Sequence, residues 1–236
     1  MAGTVSQEVH PSPVRIERWM RQQASFFLPY LAAAGAFAPE LFLAVPPLVL
    51  LGHAMLWRVL AAGRFAADFV TGARVVLLVA GAAAALWTGT WNAVAWGTCV
   101  VAACMDLIDG AVARRFGASQ GGAVLDMEAD QASFVVFASL ACAFDLAPTI
   151  VLVLPAMRFG YVLLMWVVGC AVHDPKPLDG DNRRAKVICA VVVVLQLVFL
   201  APFVRPDLRA VAAYVAIALL VPSYVGDVRG ILRRRP

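Results

Sequence analysis

The chain reads as an all-α, polytopic membrane protein, and three observations carry that reading. Hydrophobic residues fill 62% of the 236 positions and mean hydropathy is +0.83, whereas a soluble domain is closer to half apolar. Charged residues are only 14% of the chain, so a large solvated surface is excluded. Several apolar runs approach or exceed the roughly 20 residues that cross a bilayer, and none alternates at the period of two that a transmembrane barrel requires. The opening residues hold no short apolar core before a small-residue cleavage site, so no cleavable signal is expected.

The elements follow in order. Residues 1–13 are polar, contain two prolines and predict a disordered tail. Residues 14–22 place Arg15, Arg18 and Arg21 three apart, with Trp19 and Met20 between them. That pattern predicts a short interfacial helix on an anionic leaflet, and residues 1–23 form a first unit. The apolar block 24–60 is too long for one ordinary span and is broken by prolines, so 24–63 predicts an extra hairpin of two short spans turning near Ala38-Pro39-Glu40. A single long span is the alternative. Residues 64–236 then form a core of six spans, at 69–88, 92–115, 121–143, 146–172, 185–203 and 207–228.

The charges test this arrangement. Arg58, Arg64, Arg114, Arg115, the segment Lys176–Lys186 and the tail arginines all fall at one side of the predicted spans. The positive-inside rule makes that side cytoplasmic. The N-terminal arginines join it only if 24–60 is a hairpin, which favours eight spans over seven. Trp87 and Trp91 suit an aromatic belt at the opposite interface. The net charge of +4 is therefore a topology signal and gives no reason to expect nucleic acid as a partner. The five cysteines (99, 104, 142, 170, 189) form no CxxC or Cys/His cluster and read as small, reduced core residues. His53 reads as a core or interface residue and His173 as a loop residue.

One stretch is out of character: DLIDGAVARRFGASQGGAVLDMEAD, residues 106–130, holds five acids. Asp106, Asp109 and Ala113 lie at i, i+3 and i+7, so they share one helix face, with Gly110 and Arg114 beside it. Asp126 and Asp130, at i and i+4, share a face of the next helix. The connection at Phe116–Gly121 is short, which predicts that the two helices are antiparallel neighbours. Glu128 points about 160–200° away from both flanking aspartates at 100° per residue. Four carboxylates can therefore converge near the cytoplasmic membrane surface. An acid at mid-bilayer costs at least ~2.5–3.5 kcal/mol, and four together repel one another. Arg114 supplies one positive charge, which is too few. Divalent cations with hard oxygen ligands would meet the need.

The string D-x2-D-G-x2-A-R, followed by G-x3-D-x3-D, falls on Asp106, Asp109, Gly110, Ala113, Arg114, Gly122, Asp126 and Asp130. It resembles the signature of the CDP-alcohol phosphatidyltransferase family, in a version shortened by at least one residue between Arg114 and Gly122. Weaker likenesses extend over most of 65–230. Asp68-x-x-Thr71-x-x-Arg74 stands where the family often has N-x-x-T-x-x-R, and the basic segment Lys176–Lys186 with Gln196 resembles a later part of the pattern.

The resemblance implies a metal-dependent transfer of a phosphoalcohol group, such as phosphatidyl, from a CDP-linked lipid such as CDP-diacylglycerol to a small alcohol, with release of CMP. It implies two Mg²⁺ or Mn²⁺ ions held by Asp106, Asp109, Asp126 and Asp130, with Asp130 also the general base. Gly110 and Ala113 would leave room for the cytidine, and Asp68, Thr71 and Arg114 would contact the CDP part. Arg183, Arg184 and Lys186 would either mark topology or bind a phosphorylated acceptor, glycerol phosphate or inositol phosphate ahead of serine or choline. Arg158, inside an apolar run, would face the acceptor or diphosphate, or pair with a structural acid. A homodimer in the inner or plasma membrane, with its active site at the cytoplasmic face, completes the expectation. The competing class is a divalent-cation transporter, which would need acids along a path through the bilayer. Here they cluster at one interface.

Overall fold

The computed structural model describes residues 13–60, 66–116, 120–169 and 182–233. The N-terminal tail, Arg64, Cys170, His173, the loop up to residue 181 and the last two arginines lie outside the described residues, as do the side chains of Arg183 and Lys186.

Among the described residues there are no strands. Eight α-helices run α1 Pro13–Ala36, α2 Val45–Leu60, α3 Ala66–Thr88, α4 Ala93–Phe116, α5 Gln120–Ala143, α6 Val153–Val167, α7 Asn182–Leu200 and α8 Pro206–Arg233, with 3₁₀ turns at Pro39–Ala44 and Thr149–Leu152. Five segments are long and apolar enough to cross a membrane: Pro39–Leu60, Ala66–Thr88, Ala93–Phe116, Thr149–Val167 and Pro206–Gly226. α5 falls outside that set because Asp126, Glu128 and Asp130 interrupt it. It is nonetheless the central helix: every residue from 131 to 141 is buried, and α2, α3, α6 and α7 all pack on it.

The N-terminal region differs from expectation in one respect. There is no separate interfacial helix, because α1 runs unbroken from Pro13 through the predicted boundary at residue 23 to Ala36. Nothing between Gln22 and Pro29 stops a helix, and Pro29 itself is carried inside it. At 1.5 Å per residue α1 is about 36 Å long. The chain reverses at Phe37–Ala38, where the hairpin turn was predicted, and Tyr30 Oη donates to the Leu41 carbonyl across it. Alternating helix directions then bring Arg15, Arg18 and Arg21, Arg58, Arg114 and Arg115, Arg184 and Arg229 to one end of the bundle. At the other end Trp91 and Trp96 donate to the Leu200 and Leu197 carbonyls, at 2.7 and 2.9 Å. Those bonds satisfy carbonyls that the last turn of α7 leaves unpaired.

The arrangement of α3, α4 and α5 also corrects the sequence reading. α4 and α5 are consecutive but make little direct contact. α3 packs along both of them. Small residues allow the approach: Gly81 of α3 faces Thr98 of α4 so closely that a Cβ there would collide with the threonine hydroxyl. α4 and α5 are splayed against a common backing helix, and the gap between them is where the acids point.

Candidate active site

Asp106 and Asp109 stand about three and two turns before the C-terminal end of α4, and Asp126 and Asp130 in the second and third turns of α5. Asp106, Asp126 and Asp130 each offer a carboxylate oxygen, and these oxygens lie within 4.8 Å of one another. Their side chains are 46, 45 and 47% exposed. Asp109 is different: it is 6% exposed, and its Oδ2 accepts from the Thr71 hydroxyl at 3.1 Å. Thr71 Oγ1 is also 3.1 Å from the Ala67 carbonyl, so its single proton is shared.

The sequence reading left Arg74 out of the site, yet the structure puts it at the centre. Its side chain is 2% exposed. Nη1 pairs with Asp106 Oδ1 and lies 3.6 Å from oxygens of both Asp109 and Asp126. Nη2 is 2.8 Å from Asp130 Oδ1 and 3.4 Å from the Asp126 carbonyl. One guanidinium therefore touches or approaches all four carboxylates. A planar fork with five donors suits this role better than an ammonium. The signal was visible, since Arg74 is three residues beyond Thr71 on the same helix face. Arg74 lies on α3, which carries none of the four aspartates.

Other predicted positions divide. Gly110 borders the cleft, and the Arg114 Nη1 lies 3.4 Å from where its Cβ would be. Ala113, one turn on, is partly exposed. A flat ligand laid against this stretch would meet backbone beside a guanidinium. Asp68 and Thr71 are buried at the start of α3, 2 and 3% exposed. Arg184 is exposed in the first turn of α7. Arg158 is not brought to the aspartates. Its Nη2 donates to Glu128 Oε1 at 3.0 Å and approaches Met127 Sδ at 3.2 Å, so of the two readings of this arginine the structure shows the pairing with an acid. Glu128 is turned away from the cleft, as helix geometry required.

The donor set suits a hard divalent cation. Carboxylate oxygens within 4.8 Å of each other can close on one ion by small side-chain rotations, and Mg²⁺ or Mn²⁺ is bound through oxygen.

Fold and cleft together define a multi-pass membrane protein with an acidic centre between two splayed helices. A family model described as CDP-alcohol phosphatidyltransferase matches residues 64–222, about two thirds of the chain. The chain belongs to the CDP-alcohol phosphatidyltransferase family, and it is a transferase of that class. No curated protein and no solved structure gives a significant match. The match begins just before α3, so α1 and α2 lie outside it.

Proposed function

We propose that the protein transfers a phosphoalcohol group, most simply phosphatidyl, from a CDP-linked lipid to a small alcohol, releasing CMP at the cytoplasmic face of the membrane. The observation that carries this reading is the convergence of three half-exposed aspartates, with buried Asp109 behind them, in a cleft beside Gly110 and Arg114. Asp106, Asp109, Asp126 and Asp130 would hold two Mg²⁺ or Mn²⁺ ions. Such ions neutralise diphosphate charge and stabilise the departing nucleotide.

The chain's own residues supply the rest. Gly110 and Ala113 admit the nucleotide to the α4 backbone, because neither has a bulky side chain. Arg114 lies over that surface, where a diphosphate oxygen can reach it. Asp130 is open to the cleft and takes the proton from the attacking hydroxyl. The hydroxyl oxygen bonds to the β-phosphorus, the bond from that phosphorus to the bridging oxygen breaks, and CMP leaves with the electron pair. Arg74 keeps the carboxylates from dispersing. A phosphorylated acceptor, glycerol phosphate or inositol phosphate, suits the arginines at the start of α7.

The test is CMP release from CDP-diacylglycerol by the purified protein with Mg²⁺ or Mn²⁺ and a panel of alcohols. Release that depends on one acceptor and stops with chelator supports the reading. No release with any alcohol, together with cation flux in liposomes, would replace it by a transporter.

A further inference from the structure

On the face of α5 opposite the aspartates lies a second polar cluster, and it involves the two helices outside the family match. A small cavity sits between α1, α2, α5 and α6. Trp19, Gln23, Gly52 and His53 line it from the hairpin, and Glu128 and Gln131 from α5. The space open to a water's centre is ≈ 30 Å³, where one water needs about 10–15 Å³. Trp19 is 5% exposed, and among the described residues its indole N–H has no hydrogen-bond partner; His53 Nε2 is likewise buried and unmatched among them. His53 Nδ1 is already engaged near the Val49 carbonyl at 3.3 Å. Stranding a buried polar atom is costly, and here both unmatched atoms belong to residues that line a space large enough for a water. Gly52 keeps that space open: a Cβ there would lie 3.1 Å from Gln23 Oε1.

We propose that this cavity is a hydration site through which the α1–α2 hairpin positions the catalytic helix. A water there accepts from Trp19 Nε1 and reaches His53, Gln23 and Glu128. On the α6 side the same stretch of α5 is fixed directly, by Arg158 on Glu128 and by Gln131 Nε2 donating to the Pro155 carbonyl at 3.1 Å. Glu128 stands between Asp126 and Asp130, so a rotation of α5 that loosens Glu128 moves both carboxylates. Trp19 and Gln23 are positioning residues for the acidic cleft. The inference rests on the reading of that cleft as the metal and substrate site.

Two measurements test it. X-ray radiolytic footprinting generates hydroxyl radicals from ordered interior water, so Trp19 should be oxidised despite its burial, and Gly52→Val should suppress that labelling. An unlabelled Trp19 overturns the hydration site. Manganese binding alone, followed by the EPR signal of free Mn²⁺, tests positioning. Trp19→Phe keeps an aromatic ring and removes the donor, and should weaken Mn²⁺ binding by about threefold to tenfold, at or below the ~10-fold lower limit for residues that touch a metal ligand directly. Adding Gln23→Leu should weaken it no further, because both side chains act through the same water. Unchanged or additive affinities overturn the coupling. Gln23→Leu should behave like Trp19→Phe and serves where the latter does not fold. A wild-type protein that binds Mn²⁺ with this dependence, yet releases no CMP with any alcohol, would leave the positioning intact and remove only the transferase reading.

Discussion

Replacing Arg74 by Met should separate the site's two sources of positive charge. The side chain is 2% exposed and pairs with Asp106 and Asp130 while standing 3.6 Å from Asp109 and Asp126. Breaking a buried ion pair by removing one partner costs ~3–5 kcal/mol. Here three of the four acids are nearly half exposed, so water and screening relieve part of the loss. A reduction of ~2 kcal/mol in stability is expected, which for a chain of this size lowers Tm by roughly 4–8 °C. The measurement is thermal unfolding by tryptophan fluorescence in detergent with chelator present. A divalent cation at about 4 Å from the lost charge would feel ~8 kcal/mol less repulsion at an effective dielectric of 20, twice the figure for two unit charges. With half-exposed ligands we expect about half of that or less. Mn²⁺ should therefore raise the Tm of Arg74→Met by more than it raises that of the wild type. Equal Tm values in chelator, or a smaller rise with Mn²⁺, would refute the role of Arg74 as counter-ion to the acids.

Three other outcomes follow from the geometry. Asp130→Asn should lower CMP formation by about a thousandfold, the middle of the general-base range, with CDP-lipid binding retained by equilibrium dialysis; wild-type turnover removes the base assignment. Gly110→Val places a branched side chain on the cleft wall beside Arg114 and should raise KM for the CDP-lipid more than tenfold, with Tm in chelator shifted by less than about 4 °C, the reach of ~1 kcal/mol. Arg158→Met strands the buried Glu128 carboxylate and should cost ~3–5 kcal/mol; the double change Glu128→Gln with Arg158→Met should recover most of it, and a double variant as unstable as the single one would show that the pair is not the source.

The helices were legible because apolar runs of span length and the short breaks between them are local signals. The hairpin turn was legible from Ala38-Pro39-Glu40. The continuity of α1 was not, because amphipathic and apolar halves of one helix look like two elements when read separately. The four aspartates were legible from spacing alone, since i, i+3 and i, i+4 fix a shared face. What spacing does not contain is which helix lies between two others. A short loop suggested that α4 touches α5, but small residues on α3 made it the better partner for both. Arg74 stands in the Asp68-x-x-Thr71-x-x-Arg74 pattern, but its place among the four acids follows only from that packing. The Arg158–Glu128 pair has no local signature, because the two residues are 30 apart in sequence. The link from Trp19 to α5 needed the packed hairpin and has no signature in the chain order.

That the counter-ion comes from α3 has a consequence for biosynthesis. Arg74 precedes Asp106 by 32 residues and Asp130 by 56. Chains are made N-terminus first, so α3 with its guanidinium is synthesised before any of the four cleft aspartates. Each acid-bearing helix, which would be costly to leave alone in hydrocarbon, can be delivered to a waiting positive charge. The opposite order would have exposed the aspartates before anything could neutralise them.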